Sequence, residues 1–318
     1  MLNRTTVKLL YILTSSSSDI YYEQALLSIT SLKIKMPDSF VSLLTDNKTK
    51  KSFNENNRQE ILKIIDEIIT VDFPDNTNNK YKARWLKTSM RKHIEGDFLF
   101  IDCDTVITEK LIFKTNIVVG AVQDIHLSLH KRFKNNDYME FHTQRDKKCG
   151  FTTSEYSYYN SGVIYCKDTI ECHSFFEKWH SLWLSGYEKG VTEDQPSFSM
   201  ANITCNNIIT EIDGTWNCQL VNSGKLYLPN AKIIHYYNSE DNKKNYLFAK
   251  KNVYDSIKKE GNIPLEYKKI LMKPRAAFYF NNNKKFISFS NKLFYIVLSF
   301  LFSKPVNYLF KIITYIEE

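Results

Sequence analysis

The chain has 318 residues, 43% of them hydrophobic, which is enough for one large α/β domain with appendages and excludes a chain too polar to build a core. Its net charge of +8 is uneven: from Lys243 onward 15 Lys/Arg stand against 5 Asp/Glu, leaving 28 against 30 before it. The body is therefore near neutral and needs no polyanionic partner, whereas the basic tail calls for an anionic one. Six cysteines at 103, 149, 166, 172, 205 and 218 form no C-x-x-C pair. That excludes a zinc or thioredoxin-like site and predicts reduced core thiols in a reducing, cytoplasmic compartment.

In chain order, "VKLLYILT" from residue 7 is a strand-length apolar run, too short for a secretory signal, bounded by "SSSSD". "YYEQALLSITSLK" places Tyr22, Ala25, Leu26, Ile29 and Leu32 on one helical face. "SFVSLLTD" reads as a second strand, "NRQEILKIIDEII" as a helix over 57–69, and "TVDF" as a short strand. "YKARWLKTSMRKHI" is a helix ended by Gly96, and "DFLFIDCD" is a strand that runs into acids. This alternation predicts an α/β fold with a mostly parallel central sheet flanked by helices.

The acids are the first functional signal. In open α/β sheets ligands bind beyond the carboxyl ends of the strands, where Asp102 and Asp104 stand. In an extended segment residues i and i+2 share a side, so the two carboxylates would approach one ligand with Cys103 turned away. Two adjacent carboxylates repel, and a divalent cation neutralises them; hard oxygen ligands suit Mg2+ or Mn2+. A loop that merely opens with acids after a strand gives the same D-x-D pattern.

Further along, "YYNSGVIYCKD" reads as a polar loop entering the strand "VIYC". "TEDQPSFSMA" sets Asp194 and Gln195 before Pro196 at the start of a helix. His235 ends the apolar "AKII". Arg84 and Lys87 lie one turn apart, as do Lys87 and Arg91, an arrangement that suits one cationic face or an ordinary solvated one.

Taken in order, "YILTSSSSDIYYEQALLSITSLK", "KARWLKTSMRKHIEGDFLFIDCDTVI", "YYNSGVIYCKD", "TEDQPSFSMA" and "KIIHYYN" resemble GT-A glycosyltransferases. The likeness is strongest to the family 8-like group that includes glycogenin and bacterial lipopolysaccharide sugar transferases, and it spans roughly residues 7 to 240. The resemblance implies a GT-A, Rossmann-like domain over 1–245. It implies Thr14 and Ser15 at the nucleotide base, with Asp19 beside them, and Arg84 and Lys87 toward the diphosphate of a UDP-sugar. Asp102, Asp104 and His235 would hold Mn2+ or Mg2+. Asn160, Ser161 and Gly162 would line the sugar or acceptor side. Asp194 would stabilise transition-state charge or act as a transient nucleophile, and Gln195 would orient the donor. The implied product is a glycan or lipid-linked sugar, made with retention, in lipopolysaccharide or capsule biosynthesis. The chain departs from the family after His235: "HYYNSEDNKKN" replaces the usual Gly and Lys-Pro-Trp, leaving Lys243 or Lys244 to serve the diphosphate.

Residues 246–318 read as a helical tail. Its stretch from Lys284 carries aromatics and flanking lysines. The apolar run between Lys292 and Lys304 is too short to span a bilayer. Two short amphipathic helices lying on an anionic membrane face are expected, peripheral on the inner leaflet, with no nucleic acid as partner; a helical pair packed on the body is the alternative. A sugar nucleotidyltransferase would want a Gly-rich phosphate loop after the first strand, which "TSSSSD" lacks. A non-catalytic nucleotide- or glycan-binding protein of the same fold is the other reading.

Overall fold

A computed structural model describes residues 7–55, 57–113, 116–124, 137–152, 158–220, 224, 227–237 and 246–279. The strands are β1 (Lys8–Leu13), β2 (Val41–Asp46), β3 (Glu67–Val71), β4 (Phe98–Ile101), β5 (Thr105–Ile107), β6 (Val119–Gln123), β7 (Tyr159–Cys166), β8 (Ile209–Glu211), β9 (Cys218–Gln219) and β10 (Ile233–His235). The helices are α1 (Tyr21–Lys35), α2 (Asn47–Ser52), α3 (Asn79–Ser89), α4 (Asp137–Cys149), α5 (Ile170–Glu188), α6 (Gln195–Thr204), α7 (Lys251–Glu260), α8 (Leu265–Leu271) and α9 (Ala276–Tyr279).

Seven strands form the central sheet in the order β3-β2-β1-β4-β7-β6-β8. Pairings β1–β2, β2–β3, β1–β4 and β6–β8 are parallel, while β7 runs antiparallel to both β4 and β6. The mostly parallel α/β architecture expected from the sequence is thus present. A small second sheet, β5-β10-β9, lies beyond the end of β4.

Strand β1 shows why its sequence is continuously apolar. Leu9, Tyr11 and Leu13 enter one core with α1, and Leu10 enters the other with Leu86, Phe175, Trp179 and Phe198 from α3, α5 and α6. Both faces are covered, so no polar alternation survives.

The helix expected over 57–69 does not form. Residues Glu60–Lys63 make one 3-10 turn and the chain then becomes β3. At Asp66 the carboxylate accepts from the amide of Val41 (2.8 Å) and the Asp66 amide donates back to the Val41 carbonyl (2.9 Å). That pair starts a parallel ladder, and the β-branched run that follows favours it over a helix. Similarly, α3 stops at Ser89 and Arg91 falls in a 3-10 turn. Arg91 stacks on Phe98 and donates to the carbonyls of Ile94 and Gly96, so it does not extend the cationic face of Arg84 and Lys87.

Residues 246–279 enter the same core as α1 and β1: Phe248, Val253, Tyr254, Ile257, Leu271 and Phe278 are buried there. Gly261 closes α7 at φ +67°, and a Cβ on it would stand 2.7 Å from the Asn57 Cβ. The Lys258 ammonium donates to the carbonyls of Asp19 (2.5 Å) and Ser17 (3.4 Å), tying α7 to the loop after β1. Residues 280–318, with the expected membrane-facing stretch, lie outside the described residues. Among the described residues no helix is long and apolar enough to cross a membrane. All six cysteines are free.

Ile257→Ala, which opens a cavity at a side chain only 1% exposed, is expected to lower the unfolding free energy by about 2–5 kcal/mol. Urea denaturation checks this; a loss below about 0.5 kcal/mol would mean that α7 is not part of the folded unit.

Candidate active site

Strand β4 ends at Ile101, and the next residues turn rather than extend. The Asp102 amide donates to the Gly162 carbonyl (2.8 Å), and the Thr105 hydroxyl donates to the Asp102 carbonyl (2.8 Å). Cys103 turns away toward the carbonyl of Ile12 (3.2 Å). Pairing of β5 with β10 sets His235 opposite Thr105, and the Asp104 carbonyl accepts from the Tyr236 amide (3.1 Å). This register carries the His235 ring to Asp104, with Nε2 3.1 Å from Oδ1. One ligand atom from each of Asp102, Asp104 and His235 lies within 4.8 Å of the others.

Gly162 forms the floor beneath these groups. The polar loop expected at "YYNSGV" is instead part of β7, buried throughout. The reason is its central position: β7 pairs with β4 on one side and β6 on the other, and only a register shift opposite Ala121/Val122 interrupts it. Such a bulge lets a strand bend and re-aim its side chains. A Cβ on Gly162 would stand 2.5 Å from His235 Cε1 and 2.9 Å from Asp102 Oδ2, so only glycine leaves this space open.

Asp194 lies across from the two acids. It caps α6 by position, yet its side chain makes no capping hydrogen bond; Gln195 is the first residue of α6 and Pro196 the second. The carboxylate instead accepts from the Ser161 hydroxyl (2.7 Å) and meets Arg84 Nε (3.0 Å) and Lys87 Nζ (3.4 Å). Lys87 also lies 3.1 Å from Asp102, so one ammonium, only 5% exposed, bridges Asp102 and Asp194. Gln195 donates to the Tyr159 carbonyl and accepts from the Ser161 amide (3.3 Å).

The electrostatics follow from these contacts. Burial alone would raise the Asp194 carboxyl, but Arg84, Lys87 and the Ser161 hydroxyl outweigh it and hold the group well below its ordinary value. Burial raises Asp102, with Lys87 offsetting part of that and Asp104 adding to it. For Asp104 burial is outweighed by His235, and the carboxyl is lowered. The Asp194 carboxylate pushes the Arg84 guanidinium up.

On the nucleotide side of the expected site, Thr14 and Ser15 follow β1 directly and are buried. Thr14 donates to the Asn79 carbonyl (2.9 Å). Ser15 donates to Asp19 (2.6 Å) and accepts from the Arg58 guanidinium (2.6 Å), which stacks on Tyr22. Asp19 also accepts from the amides of Ser16 (2.7 Å) and Tyr21 (3.1 Å), so it organises the serine loop.

These residues therefore converge from separate chain segments on one end of the sheet. The glycosyl transferase family 8 model matches residues 6–244, three quarters of the chain. The chain belongs to glycosyl transferase family 8. It is accordingly a glycosyltransferase, and the family implies a nucleotide-sugar donor and a glycan acceptor. No curated protein matched in sequence. Among solved structures, mouse xyloside xylosyltransferase 1 in its apo form is similar with TM-score 0.47 and 14% identity, covering 72% of this chain and 97% of that one. The apo bifunctional glycosyltransferase WbbM is similar with TM-score 0.49 and 16% identity, covering 86% of this chain and 53% of that one.

Some residues that contact these groups left no sequence signal. Asn217, next to His235, sits in a one-turn 3-10 segment before a two-residue strand and reads as turn. Tyr237 stacks on the His235 ring at 3.9 Å and 7°. Arg58 lies inside the segment misread as helix. Lys243 and Lys244 lie outside the described residues.

Gly162→Ala is expected to weaken Mn2+ binding at least about tenfold, about 1.4 kcal/mol, while the far-ultraviolet dichroism is unchanged. Calorimetric titration measures it; unaltered affinity would show that the floor at Gly162 does not border the ion.

Proposed function

We propose that this family 8 enzyme transfers a sugar from a UDP-sugar to a glycan or lipid-linked acceptor, with retention, using Mn2+ or Mg2+ held by Asp102, Asp104 and His235. The observation that carries the reading is the convergence of these three ligands beside Asp194. The fit to a divalent ion is supported by two carboxylates and an imidazole around one point, over a glycine whose Cβ would fill the space. When bound, such an ion supplies charge neutralisation to the leaving diphosphate.

The chain's own residues account for the rest. Arg84, with a third of its side chain exposed, offers guanidinium donors to the diphosphate while its Nε holds Asp194. Lys87 keeps Asp102 and Asp194 apart in charge without solvent. Asp194, kept ionised, presents fixed negative charge to the cationic anomeric centre that develops as the glycosidic bond breaks. Two cations and a hydroxyl draw on that carboxylate, which favours charge stabilisation over a covalent intermediate. Gln195 and Ser161 fix Asp194 against β7 and line the sugar side with Gly162. Thr14 and Ser15 shape the base pocket, supported by Asp19, Arg58 and Lys258.

Nucleoside diphosphate release from a panel of nucleotide-sugars tests this. The parent chain is expected to release UDP from one donor with Mn2+ present and to stop with a chelator. Asp104→Ala is expected to lose at least about a hundredfold, about 2.7 kcal/mol, with its fold retained. Near-full turnover by Asp104→Ala would contradict the reading.

The composition of 284–318, where lysines flank aromatic and aliphatic runs, supports an acceptor at a membrane. Such a location suits lipopolysaccharide or capsule assembly on the inner leaflet. Full-length protein is expected to float with anionic vesicles and a chain ending at Asn282 to remain below; equal recovery in the soluble fraction removes the membrane role.

A further inference from the structure

A single backbone amide fixes the orientation of every side-chain amide behind the His235 ring. The Gly162 N–H can only donate, and it lies 2.9 Å from one amide atom of Asn160, which must therefore be Oδ1. The Asn217 amide atom 2.7 Å from that same oxygen must then be its Nδ2. Asn217 consequently turns Oδ1 to His235 Nδ1, 3.0 Å away. An amide oxygen only accepts, so Nδ1 carries a proton, and the other ring nitrogen, Nε2, is the one that faces the carboxylates, 3.1 Å from Asp104 Oδ1.

The far side of Asn160 agrees with this direction. Its Nδ2 donates to Asp124 Oδ1 (2.8 Å) and to the Tyr237 hydroxyl (2.8 Å), which in turn donates to Gln219 Oε1 (3.0 Å). All four amide valences of Asn160 are thus engaged within the protein. The Tyr237 ring, held at φ +49°, lies parallel on the imidazole and blocks its rotation. A tyrosine in the left-handed region is a local strain that surrounding contacts must sustain.

We propose that Asn217 is a positioning residue for the metal: through the relay Gly162 N–H, Asn160, Asn217, His235 it holds the imidazole in the tautomer whose Nε2 faces the ion. This assigns Asn160 a role in orienting His235, beyond the sugar-side contact expected from its position. The inference rests on the metal reading of the Asp102–Asp104–His235 site. Outer partners of this kind alter metal affinity by about 10–100-fold when removed.

Two measurements on the full chain test it. Free Mn2+ is counted by electron paramagnetic resonance during titration of the parent, Asn217→Ala and His235→Ala. Asn217→Ala is expected to bind about 10–100-fold more weakly than the parent, and no more weakly than His235→Ala. The second measurement needs no variant: nitrogen-15 spectra of histidine-labelled parent protein, with diamagnetic Zn2+ as the probe, report which His235 nitrogen bears the proton. A proton on Nδ1 and metal on Nε2 is expected. A proton on Nε2, or equal Mn2+ affinity in Asn217→Ala and the parent, overturns the relay while leaving the metal site standing. Absence of Mn2+ binding by the parent defeats the metal reading itself, and the relay with it.

Discussion

The site is organised around a charge balance in which three carboxylates, Asp102, Asp104 and Asp194, share two side-chain cations and one imidazole in a partly buried space. Leaving one buried charge without its partner costs about 3–5 kcal/mol, so these contacts constrain one another. Lys87 is the hinge of that balance because it touches Asp102 on one side and Asp194 on the other. In the proposed reaction a divalent cation arrives with a diphosphate, so opposite charges are added together. The resident ion pairs then need to shift little as donor binds, which is the electrostatic pre-organisation that such chemistry requires.

The fold supplies each charge from a different element. The acids come from the end of β4, the cations from α3, Asp194 from the start of α6, and His235 from the short strand β10. Apart from the two acids and the two cations, none of these is near another in sequence. What unites them is the antiparallel β7, which meets β4 through Gly162 and meets α6 through Ser161. The small sheet then sets the place of the histidine by register, since His235 pairs with Thr105 and a shift by one residue would turn the ring to the other face. On the opposite flank, α7 lies outside the matched family segment yet holds the loop after β1 through Lys258.

Where sequence reasoning succeeded, the cause was local. The apolar run of β4 followed by Asp102 and Asp104 combines burial and charge within a few residues, and the architecture follows from alternating periodicities. The segment 57–69 misled because isoleucines at helical spacing are also β-branched, and only pairing with β2 decides between the two. "NSG" looked like a loop because its polar and small residues serve a buried bulge instead of solvent. The partners of the site were illegible for a different reason. Asn217 and Arg58 act through contacts that span 18 and 43 residues of chain, and Tyr237, though only two residues from His235, folds back onto its ring at a positive φ that no residue pattern announces.

The central claim is that one divalent ion sits among Asp102, Asp104 and His235, with Lys87 remaining between Asp102 and Asp194. Anomalous diffraction from crystals grown with Mn2+ and UDP tests it most directly. The account predicts a single manganese peak at about 2.0–2.2 Å from oxygens of both aspartates and from Nε2 of the histidine. A peak bound elsewhere, or none at this place with UDP ordered in the pocket, would contradict it.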